Sequence, residues 1–201
     1  PSAGAGVFAD IKTFQALGVY GCGIITALTA QNPNKVFSIS PVNEEHVCEQ
    51  IDAVLDAYDV NYVKTGMLYS KQIIKLISEK IDEYDLKAVV DPVMVATSGG
   101  DLTKDNLANA LNKYLLPKSI LTTPNVEEAE KLTGLKISSK EDAVMATEKI
   151  PCNSLITGGH LDGINTMRID GEITIEKQEL LESDNLHGTG CNLSSAIVAY
   201  L

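Results

Sequence analysis

Lys87-Ala88-Val89-Val90-Asp91-Pro92 is a short apolar run closed by a carboxylate and a proline. It reads as a buried strand, and the segments on either side decide how it is used. Before it, Ser70 caps a helical pattern with Ile73, Ile74, Ile77 and Ile81 on one face. Before that, Tyr62 to Thr65 forms another short strand ending at Gly66. After it come a helix from about Asn106 to Leu115, stopped before Pro117, and a strand from Ser119 to Thr122, broken by Pro124. Short buried strands alternating with helices imply a mainly parallel sheet covered on both faces, an α/β fold of three layers. In such sheets ligands bind beyond the carboxyl ends of the strands.

The pattern continues in both directions. Val7 to Leu17 reads as a helix closed by Gly18, Ile24 to Ala30 as a strand, and the segment capped by Asn43 as a helix with Val47, Ile51, Val54 and Leu55 inward. Toward the C-terminus, Glu127 to Leu132 forms a helix ended by Gly134, followed by a helix from Glu141 to Glu148 and a strand from Ser154 to Thr157. Asp170-Gly171, between Met167, Ile169, Ile173 and Ile175, predicts a small β-hairpin near 166–176. No repeat, low-complexity tract or linker interrupts the chain, so residues 1–201 are expected to form one domain.

Composition narrows the function. A formal net charge of −11 and a pI of about 4.6 argue against nucleic acid or an anionic membrane as partner. Cys22, Cys48, Cys152 and Cys191 form no CxxC pair, which points to reduced thiols in a cytoplasmic protein rather than to zinc or disulfides. Pro1 lies directly in a glycine-rich turn and Leu201 lies inside an apolar helical run, so the expectation is a trimmed chain.

Polar or glycine-rich residues follow five expected strands: Gln31-Asn32, Gly66-Met67, Asp91, Asn125 and Gly158-Gly159. Together they predict a rim of loops along one sheet edge. The sharpest motif is His187-Gly188-Thr189-Gly190-Cys191, opening a helix. Two glycines at a helix start let backbone N–H groups converge on an anion, and the helix dipole adds positive potential. That suits a phosphoryl group in transfer, and the same field is expected to favour the Cys191 thiolate. Read by itself, the motif is equally a glycine-rich turn with a buried, inert cysteine. Asn125 and Glu128 lie three apart on one helical face. They either hold Mg²⁺ through water or form an ordinary N-cap with an acidic first turn. Asp91 could bind metal or substrate or cap a turn, and the loop at 96–100 could fold over a ligand. His160 reads as a turn residue, His46 as surface, and Met67 as either pocket or core.

In this order the motifs resemble the hydroxymethylpyrimidine and hydroxymethylpyrimidine-phosphate kinases, through nearly the whole chain. They are Ser2 to Gly6 with Ala9 to Thr13; Gly21 with Ile25 to Asn32; Lys64 to Leu68; Asp91 to Met94; Ser98-Gly99; Thr123 to Asn125; Glu128-Ala129; Gly158 to His160; and His187 to Cys191. The resemblance implies a ribokinase-like fold, a homodimer, and use of ATP with Mg²⁺ to phosphorylate the hydroxymethyl group of a small pyrimidine and then its monophosphate. It implies that Gln31 hydrogen-bonds the pyrimidine and that Ala5, Met67 and Val93 line the ring pocket. It also implies that Gly188, Thr189 and Gly190 form the anion hole, with Cys191 where most ribokinase-like enzymes have an aspartate base. Asn125 and Glu128 match the family's magnesium and phosphate motif, with Asp91 nearby. Thr157 and Gly159 fall in the nucleotide loop.

Three departures accompany the match. The family's opening strand and its last helices fall outside these 201 residues, and Thr157 stands where the family commonly has lysine. Pyridoxal kinases of the same superfamily are the nearest rival reading, since their substrate is also a flat ring with a hydroxymethyl arm. A non-catalytic pyrimidine-binding regulator is the rival from another class.

Overall fold

The computed structural model describes residues 3–32, 35–94, 107–159, 161–179 and 187–201. Ser2, the loop at 96–100 with Ser98-Gly99, Asn106 and His160 lie outside them. Four strands run parallel: β3 (Tyr62–Thr65), β4 (Lys87–Val90), β5 (Ser119–Thr122) and β6 (Ser154–Ile156). The sheet then turns antiparallel through β7 (Ile164–Ile169) and β8 (Glu172–Lys177), giving the order β3-β4-β5-β6-β7-β8. The expected hairpin is therefore present, with Asp170 at φ 51° and Gly171 at φ 88° in its turn, and it extends the main sheet.

The core follows from period-2 alternation in β4. Ala88, Val89 and Val90 are all fully buried. Ala88 and Val90 join one continuous cluster with Ile73, Ile74, Ile77 and Ile81 of α3 (Lys71–Glu83). Val89, on the opposite parity, is buried outside that cluster. Helix α7 (Thr189–Tyr200) packs against β3 and β4, with α1 (Val7–Ala16) against α7. Helix α2 (Glu44–Ala57) packs on α3, and α6 (Lys140–Lys149) covers β6 and β7. Arg168 of β7 donates to the carbonyls of Thr147, Ile150 and Cys152 at the end of α6, placing a cation where the helix leaves unpaired acceptors.

Helix starts are capped as the sequence indicates. Asn43 and Ser70 accept from His46 N–H and Ile73 N–H at 2.7 and 3.2 Å. Helix α5 (Val126–Thr133) ends at Gly134 in the left-handed conformation. The helix expected from Asn106 begins, within the described residues, as α4 (Leu107–Ala110). It continues through a π-type turn to Leu115 and a 3₁₀ turn over Leu116–Lys118.

One expectation fails. The Ile24–Ala30 run is not a strand of the central sheet. Strand β1 is Ala27–Asn32, paired antiparallel with β2 (Lys35–Pro41) in a separate two-stranded sheet. Its residues alternate between half-buried and exposed, as a strand with one wet face must. Gln31 and Asn32 thus lie within a strand, not in a loop after one, and the rim consists of four loops plus this flap.

Candidate functional site

The four rim loops and the flap enclose one cleft of about 1340 Å³. That exceeds the few hundred cubic ångströms a single small ligand fills, and it leaves room for two. Most of the candidates named from the sequence line it, while Asn32 and Gly158 do not. Ala5, Gln31, Met67 and Val93 face it from the flap, the 3–6 turn and the loops after β3 and β4. Asp91, Asn125, Glu128, Thr157 and Gly159 lie along the strand ends. Gly188, Thr189, Gly190 and Cys191 form the start of α7.

The flap is fastened to the rim at its base. Thr26 Oγ1 donates to the Met67 carbonyl at 2.7 Å, and Thr26 O accepts from Val42 N–H at 3.0 Å, joining the two ends of the flap. Gln50 of α2 clamps the preceding residue. Ile25 N–H donates to Gln50 Oε1 at 2.9 Å and Gln50 Nε2 donates to Ile25 O at 3.1 Å.

At α7 the N-cap is Gly188, at φ 86°, with no side-chain cap. A Cβ on Gly188 would lie 1.7 Å from the Gly4 carbonyl oxygen, so only glycine allows the 3–6 turn and the start of α7 to meet. Gly6 opens α1, and its backbone N–H is near enough to Cys191 to favour the ionised sulfur, so two helix starts converge here. Thr13 Oγ1, hydrogen-bonded to Asn192 Oδ1 at 3.2 Å, adds a further tie between α1 and α7. Convergent helix starts favour an anion.

The expectation of a Cys191 thiolate is not met. Burial pushes the Cys191 thiol up, and the charges of Asp91 and Asp10 add to this. The Lys64 charge and the Gly6 N–H oppose them without prevailing. Desolvation is the largest cause, as expected for a thiol taken out of water.

At α5 both sides of the N-cap reading are realised. Asn125 Oδ1 accepts from Glu128 N–H at 2.9 Å, and Glu128 Oε2 accepts from Asn125 N–H at 3.0 Å, a reciprocal capping box. Glu128 is only 7% exposed, and the Met94 backbone N–H lies near enough to favour its ionised form. Burial, reinforced by the Asp91 charge, pushes its carboxyl up to about 8 against those backbone donors. Thr157 joins the same corner through its backbone, donating to Pro124 O at 3.0 Å and bridging to Asn125. Gly158 must be glycine, since a Cβ there would lie 1.7 Å from Ile164 O.

A third group joins Asp91 to Lys64 and Asp10, to which the sequence reading gave no role of their own. Lys64 of β3 has its side chain 2% exposed. Its ammonium lies 2.9 Å from Asp10 Oδ1 and 3.8 Å from Asp91 Oδ2. Ser195 Oγ donates to Asp10 at 2.8 Å and Ser194 Oγ to Asp91 at 3.3 Å, both from α7. Burial pushes the Asp91 carboxyl up, while Lys64 and the Ser194 hydroxyl hold it back. Beside this network the hydroxyls of Thr65 and Thr123 line the cleft, buried and without a hydrogen-bond partner. A charged residue in the middle of a four-residue strand was the available signal for Lys64.

Two buried carboxyl groups, with the Asp91 charge raising that of Glu128 and the orphan hydroxyls of Thr65 and Thr123 lining the same cleft, fit a hard cation with oxygen ligands. Among the described residues no three His, Cys, Asp or Glu side chains gather as a tighter metal site would need. Also among them, no helix is long and apolar enough to cross a membrane.

The profile of the phosphomethylpyrimidine kinase family matches residues 1–201. A hydroxymethylpyrimidine/phosphomethylpyrimidine kinase of Bacillus subtilis (strain 168) is 40% identical over 205 residues, covering 98% of this chain and 76% of that protein. Among solved structures, a phosphomethylpyrimidine kinase from Clostridium difficile 630 superposes with a TM-score of 0.85 at 39% identity, covering 99% of this chain and 85% of the other. A pyridoxal kinase from Staphylococcus aureus in complex with AMP-PCP superposes with a TM-score of 0.88 at 32% identity, covering 98% and 75%. The fold is ribokinase-like, and the chain belongs to the phosphomethylpyrimidine kinase family.

Proposed function

We propose that the cleft transfers the γ-phosphoryl group of ATP to the hydroxymethyl oxygen of 4-amino-5-hydroxymethyl-2-methylpyrimidine, and then a second phosphoryl group to the monophosphate. In the first step the substrate oxygen forms a bond to phosphorus, the bond to the β-phosphate oxygen breaks, ADP leaves, and the hydroxyl proton is released. In the second step a phosphate oxygen of the monophosphate is the nucleophile. The observation that carries this reading is the meeting of these candidate residues in one cleft around the glycine-rich start of α7.

Gln31 offers both an amide donor and an acceptor to the aminopyrimidine edge, and Ala5, Met67 and Val93 supply the apolar walls for the ring. The N–H groups of Gly188, Thr189 and Gly190 take the transferring phosphoryl oxygens, where negative charge accumulates. Cys191, kept as a thiol by burial, positions the substrate hydroxyl instead of removing its proton. A loose phosphoryl-transfer transition state needs little proton abstraction in advance, so a neutral thiol suffices. Asn125, Thr157 and Gly159 border the nucleotide phosphates. Asp91 and Glu128 would hold Mg²⁺ through water, which would supply charge neutralisation between the phosphates. We read residues 1–201 as a single kinase domain acting in the cytoplasm as a homodimer, with no nucleic-acid or membrane partner.

A second reading, pyridoxal as substrate, is favoured by the close superposition of the pyridoxal kinase. Membership in a kinase family speaks for phosphoryl transfer over a non-catalytic binder. The test is ADP release from MgATP with hydroxymethylpyrimidine, its monophosphate or pyridoxal supplied separately. Turnover on both pyrimidines is expected. Turnover on pyridoxal alone would move the assignment to the second reading, and thermal stabilisation by pyrimidine without turnover would sink the kinase assignment.

A further inference from the structure

Lys64 is a buried ammonium that the reaction just described does not use. Its surroundings explain why a lysine is there. Asp10 comes from α1 and Asp91 from the end of β4. Each also takes a hydroxyl from α7, at Ser195 and Ser194. Asp91 Oδ2 lies 3.8 Å from where a Cβ on Gly190 would sit, so this carboxylate faces the first turn of α7 from below. Glu128 is close enough for its own carboxyl to be raised by the Asp91 charge. Three carboxyl groups therefore surround a cleft whose substrates carry phosphates. Among the described residues the other lysines lining it, Lys80 and Lys87, belong to its far end. There Lys80 is paired with Asp52 at 2.6 Å and Glu83 at 3.0 Å, and Lys87 stacks over Tyr62. Position 157, on the nucleotide side, is a threonine.

We propose that Lys64 is the built-in counter-charge of the phosphoryl site, a positioning residue that offsets Asp10 and Asp91 so that the Gly188–Cys191 turn can accept phosphate oxygens. The proposal rests on the kinase reading above, and it separates two roles for the lysine. As a counter-charge, Lys64 matters through the net charge beneath the turn. As a tether, it matters through its contacts with two carboxylates. With Lys64 in place the lysine and two aspartates sum to −1. Without it they sum to −2, and neutralising Asp10 as well returns −1. Uncompensated charge of this kind acts strongly in a site shielded from water.

The experiment compares the full chain with Lys64→Met, Asp10→Asn and the double variant. The readouts are turnover on hydroxymethylpyrimidine, AMP-PCP binding by calorimetry, and thermal unfolding. Lys64→Met is expected to lower kcat about 100-fold and AMP-PCP affinity about tenfold, with KM for the pyrimidine within about threefold. The double variant is expected to recover at least about tenfold of the lost turnover, although both lysine contacts remain absent. Turnover of Lys64→Met within about threefold of the parent would overturn the proposal, as would a double variant no better than the single one. If Lys64→Met does not fold, Asp10→Asn decides. As a counter-charge effect it leaves AMP-PCP binding equal or tighter, and a tenfold weaker affinity refutes it. A parent chain inactive on every substrate would count against the kinase reading, while the AMP-PCP affinities would still judge Lys64.

Discussion

Helices α5 and α7 both start at the rim of the same cleft, and they treat their first N–H groups in opposite ways. At α5 the box between Asn125 and Glu128 consumes donors within the chain, and the price is a buried carboxyl raised to about 8. At α7 the cap is a left-handed glycine with no side-chain acceptor, pressed onto the Gly4 carbonyl. One start is closed on itself and the other is turned toward a ligand. A helix start therefore binds an anion only when the chain withholds the side chain that would otherwise cap it.

The largest effect that tests this contrast is expected from Gly188→Ala. A residue with a Cβ is strained at φ 86° by about 1–2 kcal/mol, and the new carbon would overlap the Gly4 oxygen, so the 3–6 turn and α7 must separate. Turnover should fall by about 100-fold or more, in the range seen when an anion-hole donor is misplaced. Steady-state kinetics beside urea unfolding check it. A variant with nearly full turnover would mean that the start of α7 does not hold the phosphoryl group.

Glu128→Gln tests the closed start, and here the expected effect is on stability. The folded carboxyl is raised to about 8 from the ordinary glutamate value of 4.5. Between these values the unfolded chain has lost the proton while the folded chain keeps it, so the parent loses stability as pH rises through that window. Glutamine keeps an oxygen for the Asn125 N–H and never ionises. In magnesium-free buffer the variant should gain on the parent by about 1–3 kcal/mol between about pH 5 and about pH 9, measured by urea unfolding. A difference that stays flat with pH would show that Glu128 is ionised throughout.

The contrast also marks what could be read before folding. Strand ends such as Val90-Asp91-Pro92 and Thr122-Thr123-Pro124 are legible because short apolar runs stop at residues that cannot continue them. The capping residues Asn43, Ser70 and Asn125 are legible because their partners lie three positions away. The β1–β2 flap was misread because a mixed apolar run looks like a central strand. Asn32-Pro33-Asn34, a turn signal followed by Val36, Phe37 and Ile39, was the clue to its hairpin. The Lys64 network was out of reach for a different reason. Lys64 and Asp10 are 54 positions apart, Ser194 and Asp91 are 103 apart, and Ser195 and Asp10 are 185 apart, so only the closed fold brings them together. The Cys191 thiol shows a limit of magnitude. The helix start was visible in the motif, but the burial that raises the thiol was not.

The smallest effect comes from a third helix start, and it calibrates the other two. Ser139 and Asp142 form a capping box at α6 like that of Asn125 and Glu128, and neither lines the cleft. Ser139 Oγ accepts from Asp142 N–H at 3.1 Å, and Asp142 Oδ2 takes the N–H groups of Ser138 and Ser139 at 3.0 Å each. These donors hold the exposed Asp142 carboxyl below the usual range, so its half of the box survives when the serine is lost. Ser139→Ala should therefore cost about 1 kcal/mol, a Tm lower by about 2–4 °C, with kcat and KM unchanged. That result would show that an ordinary capping loss does not reach the cleft, so that a collapse of turnover in Gly188→Ala is specific to α7. A comparable loss of activity in Ser139→Ala would instead tie turnover to overall stability and remove the distinction between a closed and an open helix start.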